Sequence, residues 1–126
     1  MPDRSQRGRD ADRRGRAAED AAAAALARDG WTLLGGRLRT KAGEIDLAAQ
    51  KDGLLALVEV KARPRLSEAA WSVTARQRRR LIAAAEILLA EHPDWGPAGV
   101  RFDLLLVDAA GRVRRITDAF RADATS

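Results

Sequence analysis

The stretch LLALVEVKAR, Leu54 to Arg63, is apolar almost without interruption up to Val58 and then carries Glu59 and Lys61. So apolar a run suits a central strand covered on both faces of a sheet, which predicts an α/β domain with helices on each side. Side chains two residues apart share a face, so Glu59 and Lys61 point the same way. A lone buried carboxylate is costly unless it is paired or bound to a metal, so Glu59 needs a partner.

The preceding segment supplies one. Asp52-Gly53 is a strong two-residue hairpin signal. GEIDLAAQ, Gly43 to Gln50, alternates before it, with Glu44, Asp46 and Ala48 on one face and Ile45, Leu47 and Ala49 on the other. A turn at Asp52-Gly53 sets Lys51 opposite Leu54, Asp46 opposite Glu59 and Glu44 opposite Lys61. A four-residue loop keeps this register, whereas a one-residue slip sends the two acids to opposite faces. Directly opposed Cβ atoms lie about 4.5–5.5 Å apart, so the two carboxylates can share one divalent cation. Lys61 beside them can position a water or offset negative charge on a phosphate, and metal, acids and lysine together suit phosphodiester hydrolysis. A second reading uses the same residues: Glu44 and Lys61 form a cross-strand ion pair, and the four charges are a half-solvated cluster. Spacing leaves both open.

The rest of the chain predicts the order αβββαββ on a mixed sheet. Residues 1–16 carry six Arg, three Asp and no aliphatic residue after Met1, a composition expected of a flexible basic arm. A first helix follows from Ala17 to Asp29, with Gly30 as its cap. WTLLGGRLRT, Trp31 to Thr40, is a first strand bent at Gly35-Gly36. After a variable stretch from Pro64 to Ser72 comes a second helix, Thr74 to Glu91, with Leu81, Ala84, Ala85 and Leu88 as its inward stripe. HPDWGPAG is a loop, RFDLLLVD a buried strand from Arg101, VRRIT a short edge strand, and Asp118 to Phe120 a closing turn. A single domain over residues 17–120 and a frayed tail at 121–126 complete the expected layout.

Several function classes drop out on composition. The 126 residues contain no Cys, which removes disulfide scaffolds, thiolate zinc sites and cysteine nucleophiles. No apolar run has the length of a membrane span, and the Arg-rich start lacks the apolar stretch of a signal peptide, so a cytoplasmic protein without a membrane partner is expected. The net charge is +5 and permits a polyanionic partner, although 20 Arg against 3 Lys is also what a compositional bias produces. The lone His92 sits in a Pro/Gly loop and suggests no Ser-His-Asp chemistry. Trp31, Trp71 and Trp95 suit packing or loop anchoring, and Asp103 suits pairing with Arg101.

Asp46, thirteen residues before Glu59-Val60-Lys61, resembles the D…(D/E)xK signature of the restriction-endonuclease-like nucleases, a group that includes archaeal Holliday-junction resolvases. The layout is more similar to one bacterial group, the YraN or UPF0102 family of small uncharacterised proteins considered endonucleases. The matching pieces are GRAAE (residues 15–19), Arg39-Thr40 with GEIDL (43–47), VEVKAR (58–63), Ser72-Val73-Thr74, Arg101-Phe102-Asp103 and Asp118-Ala119-Phe120. They span nearly the whole expected domain. The resemblance implies a restriction-endonuclease-like core, a mixed sheet flanked by helices. It also implies Mg²⁺ or Mn²⁺ held by Asp46 and Glu59, Lys61 as the catalytic lysine, and Glu19 reaching the site from the first helix. Glu19 reads equally as an exposed helical residue, and Glu44 as a partner of Lys61 or Arg39 or as a ligand. Gln77 stands where the family usually has a lysine on the second helix, and its place four residues before Leu81 puts it on the inward stripe. The implied activity is hydrolysis of DNA, including branched DNA or ends; the alternative is a nucleic-acid-binding protein that keeps the fold without cutting. Arg76, Arg78, Arg79 and Arg80 at the start of the second helix, with Arg37, Arg39, Arg63 and Arg65 at strand ends, would form a phosphate-binding rim. Junction-resolving relatives act as dimers, so a homodimer is expected by analogy.

Overall fold

A computed structural model describes residues 4–63 and 74–120, with side chains over 15–63 and 74–117. Arg65, Trp71, the stretch 64–73 and the tail 121–126 lie outside the described residues. The elements follow the expected order: α1 (Arg4–Arg28), β1 (Thr32–Thr40), β2 (Gly43–Lys51), β3 (Leu54–Ala62), α2 (Ala75–Glu91), β4 (Gly99–Val107) and β5 (Val113–Phe120). They build one five-stranded mixed sheet in the order β1-β2-β3-β4-β5. Its single parallel pairing is β3 with β4, bridged by α2, as a parallel connection requires.

Two boundaries differ from expectation. Helix α1 begins at Arg4 rather than Ala17. Arg and Ala are both strong helix formers and no Pro follows Pro2 in this segment, so nothing local breaks the helix at residue 16. Asp118 to Phe120 continue β5 instead of turning, and Phe120 pairs with Phe102.

The core lies in two layers. On one face of the sheet, Ala18, Ala22 and Leu26 of α1 pack with Trp31, Leu47, Val58 and Leu105. The i, i+4, i+8 spacing of two alanines and a leucine draws the helix close to the strands. On the other face, Leu81, Ala84, Ala85 and Leu88 of α2, the stripe expected from sequence, pack with Ile45, Leu55, Leu57 and Phe102. The β2–β3 hairpin closes through Asp52 (φ 51°) and Gly53 (φ 80°). Two consecutive left-handed residues make a type I′ turn, and its twist sets the register of the strands that carry the acids. Among the described residues no helix is long and apolar enough to cross a membrane.

Candidate functional site

The expected register holds from Lys51 opposite Leu54 to Leu47 opposite Val58. There the ladder stops. Instead of continuing as a backbone pair with β3, Asp46 turns its carboxylate into the seam and accepts the Val60 N–H at 2.8 Å. Strand β2 stays paired to β1 beyond this point, with Arg39 opposite Glu44. The strict alternation expected for β2 fails at Asp46. Leu47 and Ala49 share the α1-side core as expected, but Ile45 lies in the α2-side core with Ala48. Across the strand pair, Arg37 has φ 49°, a left-handed conformation rare for a non-glycine residue. This local twist buries both apolar neighbours in different layers and leaves Asp46 between them, where β2 and β3 part.

Glu59 meets Asp46 in that gap. It follows Leu57, a member of the α2-side core, by two residues and so faces α2. On the neighbouring strand it lies beside Leu104, which is 1% exposed, and Lys61 beside the fully buried Leu106. Burial, and then the charge of Asp46, push the Glu59 carboxyl up to about 7, against the opposing pull of Lys61 and Arg80. Asp46 is likewise raised, first by burial and further by the charges of Glu19 and Glu44, although the Val60 N–H favours its ionised form. The two carboxyl groups lie close enough for the charge of Asp46 to disfavour ionisation of Glu59. Two acids this close raise the cost of ionising both, and a cation between them would remove that cost.

The other expected site residues take distinct places. Glu19 projects from α1 toward the acids but is held by Arg37, whose Nε donates to it at 2.8 Å. Glu44 pairs with the exposed Arg39 at 3.4 Å; among the described residues it forms no ion pair with Lys61. Neither acid completes a larger ligand set, since the described residues contain no cluster of three or more metal-ligating side chains. Gln77 is turned away. Its Oε1 accepts the Thr74 N–H at 3.0 Å while its own N–H donates to Thr74 Oγ1 at 3.1 Å. These reciprocal bonds are a capping box at the start of α2. The spacing Thr74-x-x-Gln77 is the signal for that role, and it outweighs the inward stripe. Thr74→Ala should therefore lower stability by about 1 kcal/mol, read as a shift in the urea midpoint, because it leaves the Gln77 N–H at the helix start without its acceptor.

The arginines of the expected rim also separate. Arg76 and Arg79 are exposed and Arg78 half-buried at the start of α2. Arg63 continues the β3–β4 ladder, its N–H donating to the Val107 carbonyl at 2.8 Å. Arg80 lies across Gly43, next to Glu44. A cleft of about 720 Å³ opens at the carboxyl ends of β3 and β4, lined by Ala18, Glu59, Lys61, Arg63, Val107 and Asp108. Ligands in open α/β sheets bind at that end of the strands. Asp108 is committed to its own turn. Despite partial burial, its carboxyl is held below the usual range by the Arg112 N–H and side chain and the Ala110 N–H.

Arg37, which holds Glu19, and the Val60 N–H, which holds Asp46, are contacts that the sequence did not single out, and Arg80 adds a charge felt by Glu59. As expected, Asp103 is held by Arg101, at 2.9 and 3.0 Å.

The sequence model of the uncharacterised protein family UPF0102 matches residues 18–107. That span runs from the buried face of α1 to the end of β4 and contains Asp46, Glu59 and Lys61. The chain is 64% identical over 117 residues to a UPF0102 protein of Granulibacter bethesdensis, covering 93% of this chain and 74% of that one. It is 52% identical over 115 residues to a UPF0102 protein of Acidiphilium cryptum, covering 91% and 89%. With one from Azorhizobium caulinodans the identity is 50% over 110 residues, covering 87% and 84%. With the match spanning most of the domain and both acids, the chain belongs to the uncharacterised protein family UPF0102.

Proposed function

We propose that this protein is a metal-dependent nuclease acting on DNA in the cytoplasm. The observation that carries this reading is the meeting of Asp46 and Glu59 where β2 and β3 part, both half-buried and both with their ionised forms disfavoured, with Lys61 on the same strand as Glu59. Two carboxylates held together against their repulsion fit Mg²⁺ or Mn²⁺. Mg²⁺ commonly takes only one or two protein carboxylates and leaves its remaining positions to water and phosphate oxygens.

When bound, the cation would neutralise the acids and polarise a phosphodiester oxygen. Lys61 would orient the attacking water and offset charge developing on the phosphate. The Val60 N–H fixes the Asp46 carboxylate and leaves its other oxygen for the cation. Arg39, Arg63, Arg76, Arg78 and Arg79 would be the cations that bind a phosphate backbone without reading bases.

The test is incubation of single-stranded, duplex and four-way-junction DNA with Mn²⁺, comparing wild type with Asp46→Ala. Wild type is expected to cut at least one substrate and the variant none. If wild type cuts none of them, the nuclease reading fails. Retained DNA binding in that case supports a binding protein built on the same fold.

A further inference from the structure

Arg80 differs from the other arginines of α2 in being anchored to the sheet. Gly43, the first residue of β2, has φ 148°, and a Cβ placed there would lie 2.8 Å from Arg80 Cγ, 2.9 Å from Cδ and 3.3 Å from Nε. The stem of Arg80 therefore rests flat on bare backbone, and any side chain at position 43 would push it off. Its neighbour Leu81 is buried in the α2-side core, so the helix turn that carries Arg80 cannot drift. Glu59 faces this same layer and feels the Arg80 charge. Yet among the described residues no carboxylate lies within ion-pair distance of Arg80. Its guanidinium thus acts on Glu59 by its charge from beside the start of β2, and no described carboxylate holds it in an ion pair.

We infer that Arg80, cradled by Gly43, is the residue that grips the phosphate group presented to Asp46 and Glu59. A guanidinium offers a planar fork to two phosphate oxygens, which suits it to hold a phosphodiester in one orientation. The acids alone would repel that group. An arginine at their edge turns a locally repulsive site into one that accepts an anion, and Arg80, although exposed like Arg76 and Arg79, has its stem seated on Gly43. The inference rests on the nuclease reading for the chemistry at the phosphate, while the grip itself is a statement about binding.

Two measurements separate the two claims. Fluorescence anisotropy of a fluorescein-labelled four-way junction in Ca²⁺ reads binding, and cleavage of the same junction in Mn²⁺ reads turnover. Arg80→Ala is expected to weaken binding about tenfold and to reduce the slope of log affinity against log salt by about one. It should also lower kcat about a hundredfold. Arg80→Lys keeps the charge and should restore the salt slope but not kcat, because a point charge lacks the fork. Gly43→Ala should weaken binding in the wild-type background and add almost nothing to Arg80→Ala. The backbone strain at φ 148° is common to both backgrounds and cancels in that comparison. Binding within twofold of wild type in Arg80→Ala, full kcat in Arg80→Lys, or additive effects of Gly43→Ala and Arg80→Ala would each overturn the inference. If wild type binds the junction but cuts none of junction, duplex and single-stranded DNA, the nuclease reading fails while the binding results still decide the role of Arg80. If wild type binds none of the three DNAs, both fall.

Discussion

Glu59→Gln is expected to abolish metal-dependent cleavage while making the metal-free protein more stable at pH 8. The first effect follows from losing one of two carboxylates in a site that has no third among the described residues to replace it. A loss on the order of 10³-fold in rate, about 4 kcal/mol of barrier, is the scale to look for. The second follows from proton linkage. The Glu59 carboxyl sits at about 7 in the folded protein against an ordinary 4.5. Between those values the folded state holds a proton that the unfolded state has released. Stability of the metal-free wild type therefore falls as pH rises from about 5 to 7, and levels off above. The fall is at most about 3 kcal/mol, because each pKa unit is worth about 1.4 kcal/mol and solvent at the half-buried site screens part of it. Gln has no charge to desolvate, so the decline over this range should shrink. Calorimetry from pH 5 to 8 in EDTA checks this, and parallel pH profiles for the two proteins would contradict it. Added Mn²⁺ should raise the wild-type melting temperature at pH 8, and raise that of Glu59→Gln far less. Such opposing changes are what a site strained for function predicts.

Trp31→Ala is expected to destabilise the protein by about 3–5 kcal/mol without altering the Mn²⁺-dependent rise in melting temperature. Trp31 is 8% exposed and joins the core beneath α1. The Arg115 and Arg101 guanidinium carbons lie 4.9 and 5.2 Å from its ring centre. Asp103 grips Arg101 through two hydrogen bonds and lies 3.7 Å from Arg115 Nε. Removing the indole leaves a cavity and two arginines without the aromatic surface they pack on. This cluster lies where β1 begins, beside the hairpin end of β2, since Thr32 pairs with Gln50. Asp46 is at the other end of that strand. Urea denaturation gives the stability change, and the melting temperature with and without Mn²⁺ gives the site's independence. A lost Mn²⁺ response would mean that the two ends of the sheet are coupled. Arg101 and Arg115 thus belong to the structural side of the molecule, however basic the chain is as a whole.

Much of this was legible in residue order because the responsible interactions are local. The Asp52-Gly53 turn has one favoured twist, so two residues were enough to align Leu47 with Val58 and to bring Asp46 and Glu59 together. The α2 stripe was readable because helical spacing repeats within a few turns. Thr74 and Gln77 were equally readable as a capping box, and placing Gln77 at the site gave weight to periodicity where the helix start demanded hydrogen bonds.

What sequence alone determined was the set of elements, the hairpin register and the approach of two acids, all consequences of interactions among residues near each other in the chain. What only the tertiary structure decided was how those acids are used. The break in alternation that turns Asp46 onto the Val60 N–H arises because Ile45 and Leu47 are claimed by opposite core layers. The diversion of Glu19 to Arg37 and the seating of Arg80 on Gly43 depend on two helices meeting one sheet from opposite sides. Such contacts join residues tens of positions apart, and no local pattern encodes them.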